Sequence, residues 1–114
     1  MRALRHLIAL SFITLLAAGC GGPKGEPFPV DAYLTAPANL QGNRYSLDAE
    51  IDSQLEWTEG VGRLIAVRPI GRDLRLPVFI ADTHEANLMV AQRYRFELTV
   101  RKGGLLTVTA LKKL

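Results

Sequence analysis

From Arg44 onward apolar and polar residues alternate with a period of two. Tyr45, Leu47, Ala49, Ile51, Leu55 and Trp57 fall on one side. Arg44, Ser46, Asp48, Glu50, Asp52, Gln54 and Glu56 fall on the other, and Ser53 alone breaks the rhythm. A strand turns successive side chains to opposite faces, so the pattern predicts a long half-buried strand with a bend at residues 52–54. Glu59, Gly60, Val61 and Gly62 read as a turn. Residues 63–67 (RLIAV) make a second strand, ended by Arg68-Pro69 and a turn at residues 70–73. Leu74, Leu76, Val78 and Ile80 alternate in a third, where Pro77 lacks an N–H and marks an edge or a bulge. Asp82 or Thr83, with Glu85 close behind, imitates a capping box. This opens a short helix with Leu88 and Met89 on its apolar face, ending by Gln92. Tyr94, Phe96, Leu98 and Val100 alternate with Arg93, Arg95, Glu97, Thr99 and Arg101 in a fourth strand. A turn at residues 102–104 leads to a fifth over residues 105–111. The expected core contains Tyr45, Leu47, Ile51, Val78, Phe96, Leu98 and Val108.

Three strands, a short helix and two more strands, the first long and bent, resemble the OB-fold. That resemblance implies a mainly β domain over residues 40–114: a small five-stranded Greek-key barrel with one helix between strands three and four. An SH3-like barrel is the nearest competitor, but it does not need the helix. Closure suits a small domain that must protect its strand edges.

Ahead of this domain, residues 21–37 hold three Gly and four Pro. Such a composition alternates free and extended backbone, so residues 20–39 are expected to be a tether. Tyr33 and Leu34 are apolar enough to pack on the domain edge, and Pro27-Phe28-Pro29-Val30 offers a less favoured reading as an extended ligand. Residues 1–6 (MRALRH) are basic and residues 7–18 (LIALSFITLLAA) are uncharged. A basic start and a short apolar run before small residues make a secretory signal, expected over residues 1–19 and helical. The run is too short for a span of about 20 apolar residues. Ala17-Ala18-Gly19-Cys20 resembles the lipobox of bacterial lipoproteins, with Leu16 one place earlier than the common form. The resemblance implies cleavage before Cys20, acylation of its thiol and anchoring in a membrane. Gly21 rather than Asp after the Cys resembles the pattern sent to the outer membrane, facing the periplasm, in hosts with two membranes.

Cys20 is the only cysteine, so a disulfide within the chain has no second half. The signal segment carries Arg2 and Arg5, so the processed chain would hold 12 Lys/Arg against 11 Asp/Glu. Its charge is therefore near balance, below the strongly basic footprint of nucleic-acid binding. Nucleic acid is not an expected partner. After the signal His84 is the sole histidine, so neither a metal site nor a cofactor is expected. Asp48, Glu50 and Asp52 sit at strand spacing on a solvated face, with no reason for the perturbed ionisation that catalysis uses. The chain is expected not to be an enzyme.

Charge is nevertheless uneven. Residues 31–60 carry six acids and one Arg, and residues 61–114 carry ten Lys/Arg and four acids. In an OB-fold the first and fourth strands are neighbours, which places Asp48, Glu50 and Glu56 near Arg93, Arg95 and Arg101. Cross-strand pairing accounts for most of these charges. Ligands of OB-folds bind on strands two and three. That region offers Arg63, Arg68, Arg75 and Phe79, the last on the opposite parity from its apolar neighbours. Exposed, Phe79 stacks on a planar ligand beside the guanidinium groups; covered by the tether or the helix, it is structural. The expected partners are the membrane, through the anchor, and an envelope protein or a glycan. The resulting expectation is a non-catalytic binding or assembly module, with a purely structural envelope subunit as the alternative.

Overall fold

The computed structural model of the chain describes residues 25–84 and 87–114. The signal segment and Cys20 lie outside the described residues. The described residues form a small, mainly β domain. It begins with β1 (Glu26–Pro27), a short helix α1 (Val30–Thr35) and a 3-10 turn (Pro37–Leu40). Then come β2 (Arg44–Thr58), β3 (Gly62–Pro69), β4 (Leu76–Ala81), β5 (Arg93–Val100) and β6 (Leu106–Lys113). A second 3-10 turn, Lys102–Gly104, joins the last two strands.

The six strands form one mixed sheet in the order β1-β2-β3-β4-β6-β5, and β2 also pairs with β5. Each of the five long strands therefore has two neighbours among the other four, β2 taking β1 as a third, and the pairing runs in an unbroken circuit. All its ladders are antiparallel except β4–β6. These directions define two ends. The top carries the β2–β3 turn, the segment after β4 and the C-terminus. The base carries residues 36–43 and the β3–β4 and β5–β6 connections.

The inward parity of each strand fills the circuit. Ala49, Val67, Val78, Phe96, Val100 and Leu106 lose all solvent contact, and the seven residues expected in the core are all buried. Opposite parities in β2 and β5 are polar and at least partly exposed, as the alternation requires. The register of β2 against β3 slips between Ile51 and Ser53, where Ser53 breaks the alternation, and again between Gln54 and Glu56. Bulges of this kind bend a strand and increase its twist, which lets one long strand serve two neighbours.

Three expectations need correction. First, there are six strands rather than five, because part of the supposed tether belongs to the domain. Ladder pairing of β2 to β3 begins only at Ala49 with Pro69, which leaves an earlier stretch of β2 open beside β5. β1 takes that edge in parallel, Glu26 beside Tyr45 and Pro27 beside Ser46. The Phe28 amide then donates to the Ser46 carbonyl at 2.9 Å. Phe28 and Val30 are buried, and the Phe28 ring lies 5.2 Å from Tyr33 and 5.6 Å edge-on from Tyr45. α1 has no side-chain N-cap, so tertiary contacts hold it. Arg72 donates to Asp31 at 2.6 Å, and the Tyr33 hydroxyl donates to the Gly104 carbonyl.

Second, the helix expected over residues 82–92 is not formed by the described residues of that stretch, which are turns and irregular chain. The Ile51 amide donates to the Gln92 carbonyl and the Ala91 amide to the Ile51 carbonyl, both at 2.8 Å. Ala91 adopts φ of 72°, outside any right-handed helix. A local capping signal loses here to backbone pairing with β2. Third, Leu55 and Trp57 are exposed instead of packed on the core side. β3 stays paired with β4 as far as Gly62 with Ala81, but the β2–β5 ladder stops at Glu50 with Arg93, so the inward parity of this end of β2 has no β5 beside it.

Candidate functional site

The four residues singled out for ligand binding stand on or beside β3 and β4 without converging. Phe79 is opposite Leu64 on β3 and Thr107 on β6, whereas Arg63 is opposite Ile80. Neighbouring register positions alternate faces, so Arg63 and Phe79 point to opposite sides of the sheet. Arg68 shares a face with Leu64, but four residues of strand put it about 13 Å further along. Arg75 lies the same number of residues from Phe79. Phe79 is half-buried. A Cβ at Gly62 would sit 2.6 Å from Phe79 Cζ, so the ring lies over that glycine. The absent side chain makes room for the aromatic, a known way of closing a gap in a sheet. Phe79 is thus covered, but by its own hairpin neighbour, not by the tether or a helix.

The arginines are occupied as well. Arg68 donates to Glu50 Oε2 at 2.7 Å, and Arg93 Nε reaches Glu50 Oε1 at 3.3 Å. Arg95 grips Asp48 with two hydrogen bonds, 2.7 and 3.0 Å, and Arg75 Nε meets Asp52 at 2.8 Å. Asp48, Glu50 and Asp52 thus form a ladder of carboxylates on the outer face of β2, with guanidinium groups reaching it from both sides. The expected pairing of Asp48 and Glu50 with Arg93 and Arg95 is present, while Glu56 and Arg101 take no part in the ion pairs of the described residues. Hydrogen bonds from Arg95 hold the Asp48 carboxyl below its usual range against the opposing cost of partial burial. Bonds from Arg68 and Arg93 do the same for Glu50, and the bond from Arg72 does so for Asp31. The same bonds raise Arg68, Arg72 and Arg95.

These depressed carboxylates set the direction of the acid response. A carboxyl that binds its proton less readily when folded adds stability above its unfolded value, near 4. That contribution disappears as the pH falls through the folded value. The melting midpoint should therefore be flat between about pH 7 and 5 and fall below about pH 4. Asp48→Asn/Glu50→Gln should flatten the acid limb of a melting series by circular dichroism. An unchanged limb would deny the ladder any role. The pairs are solvent-facing, so each adds little on its own.

A different feature stands out at the top end. Leu55, Trp57 and Val61 are each more than half exposed, and all three lie on the part of the β2–β3 hairpin beyond the β2–β5 ladder. Trp57 is opposite Arg63 in the ladder, and the guanidinium carbon lies 5.9 Å from the ring centroid. That contact is a cation–π pair, and it holds the large ring at the end of β2, where β3 and β4 are still paired but β5 is not. Sequence alternation put Trp57 on the apolar side of β2; the only warning of exposure was the run of turn residues immediately after it. Among the described residues no group of three or more His, Cys, Asp or Glu side chains is placed to hold a metal ion. No helix among them is long and apolar enough to cross a membrane. Compared with protein-family models, curated proteins and solved structures, the chain matches none, so the functional reading rests on its own residues.

Proposed function

We propose that this is a lipid-anchored protein of the cell envelope whose OB-like barrel serves as a non-catalytic assembly module, docking a protein partner through the β2–β3 hairpin. The observation that carries the docking is Trp57, 52% exposed near the tip of the β2–β3 hairpin, held by Arg63 and accompanied by exposed Leu55 and Val61. Tryptophan and arginine are the residues most enriched among those that dominate interface energies. Grouped exposed apolar side chains mark interaction sites in soluble domains. The circuit β2-β3-β4-β6-β5, with its parallel β4–β6 ladder, supports the OB-like reading, although the customary helix gives way to an N-terminal segment packed on β2. The lipobox-like residues 17–20 support the anchor at Cys20, exported and, in a two-membrane host, on the outer membrane facing the periplasm.

A glycan-binding reading has less support, because Phe79 and the arginines meant to surround it are apart and already engaged. Purification from solubilised membranes tests both parts of the proposal. Wild-type protein should bring down a stoichiometric partner, and Trp57→Ala should lose it with stability within about 0.5 kcal/mol of wild type. Cys20→Ser should remain unacylated and leave the membrane fraction or accumulate uncut. Retention of the partner by Trp57→Ala, or acyl-free membrane retention of correctly cut Cys20→Ser, overturns the corresponding part.

A further inference from the structure

The base of the domain combines three features: unpaired cations, exposed leucines and the place where the chain arrives from Cys20. Arg44 opens β2, and Arg101 and Lys102 follow β5. All three are exposed, and none joins an ion pair among the described residues, whereas Arg68, Arg72, Arg75, Arg93 and Arg95 all do. Backbone bonds hold this side together: the Gly42 amide donates to the Val100 carbonyl at 2.7 Å and the Val100 amide to the Asn43 carbonyl at 3.1 Å. Leu34 and Leu105, 54% and 43% exposed, belong to the segments packed here through Tyr33 and Gly104. The neighbouring acids cancel the cations only in part. Asp31 is held by Arg72 and Asp73 lies in the β3–β4 connection across the circuit, whereas Glu26 and Glu97 stand near the cations with their charge intact, Glu97 accepting only from the neutral Gly25 amide.

Gly25 is pressed against the start of β2: a Cβ there would come within 2.6 Å of the Tyr45 backbone. Five residue steps separate it from Cys20. Even fully extended they span about 18 Å. We propose that the base, through Arg44, Arg101 and Lys102 together with Leu34 and Leu105, rests on an anionic lipid surface. This rests on the anchor reading above. The acyl chains supply residence at the bilayer, and the cations supply orientation by attraction to the headgroups, an effect confined to a Debye length and weakened by salt. The short link keeps this end within that range. The hairpin carrying Trp57 leaves from the opposite end, which turns it toward the aqueous side, where a protein partner can reach it.

The test uses the full processed protein in vesicles of phosphatidylcholine, with or without phosphatidylglycerol, followed by hydrogen exchange with mass spectrometry. Amides of residues 33–36 and 101–105 should exchange several-fold more slowly when phosphatidylglycerol is present. High salt, or Arg44→Gln/Arg101→Gln/Lys102→Gln, should abolish the difference, while residues 58–62 stay unchanged throughout. Melting of the triple variant at the wild-type temperature shows that the surface changes leave the fold intact. Lipid-independent exchange at the base in an acylated protein overturns the orientation and leaves the anchor standing. Protection at residues 58–62 and 112–114 overturns it in favour of the opposite end. An unmodified Cys20 thiol, read from the intact mass, removes the anchor and the orientation together.

Discussion

Truncating Phe96 to alanine should lower the free energy of unfolding by about 3–5 kcal/mol, the usual cost of deleting a buried aromatic ring. Phe96 has no solvent exposure and faces Leu47 of β2 and Leu111 of β6 in register. Its ring is 5.7 Å from that of Tyr94. It therefore joins two walls of the circuit, and removing it leaves a cavity that neither wall can close without moving a paired strand. Domains of this size are stable by about 5–15 kcal/mol, so one substitution removes a large share. Urea unfolding measures the loss directly, and Phe96→Leu should cost less because it leaves a smaller void. A Phe96→Ala protein within about 0.5 kcal/mol of wild type would mean that β5 does not present this face inward.

Phe28→Ala should cost about 3 kcal/mol, although it falls in a stretch whose composition reads as a spacer. The side chain is buried between Tyr33 and Tyr45, next to the amide that caps the open edge of β2. Losing it releases α1 from the base and uncovers part of the β2 ladder, which is the kind of free edge that folded sheets avoid. Leu34→Ala, exposed on the same helix, is the matched control and should be near neutral. At about 4–8 °C of melting midpoint per kcal/mol for a domain of this length, the two variants separate clearly. Equal midpoints for both would return residues 25–40 to the role of a tether.

Taken alone, the sequence determined which side of each long strand faces inward. Period-two alternation over residues 44–51 and 93–100 requires two faces, and only one can be buried, so Tyr45, Leu47, Phe96 and Leu98 were legible as core. The same parity put Asp48 and Glu50 on the outside with Arg93 and Arg95, and the ion-pair ladder follows once β2 and β5 are neighbours. Alternation reports a side, however, and not whether anything covers it. Leu55 and Trp57 continue the apolar parity of β2, but β2 outruns its β5 neighbour there, and the candidate docking surface exists because of that excess length. Capping residues report a local preference, and at residues 82–92 two backbone bonds to Ile51 outweigh it. Glycine and proline content reports backbone freedom; it carries no information about the open edge beside Ser46 that Phe28 occupies. Local pattern determined orientation within each strand. Strand lengths, bulges and the closing of the circuit decided what those faces meet, because those depend on residues far apart in the chain.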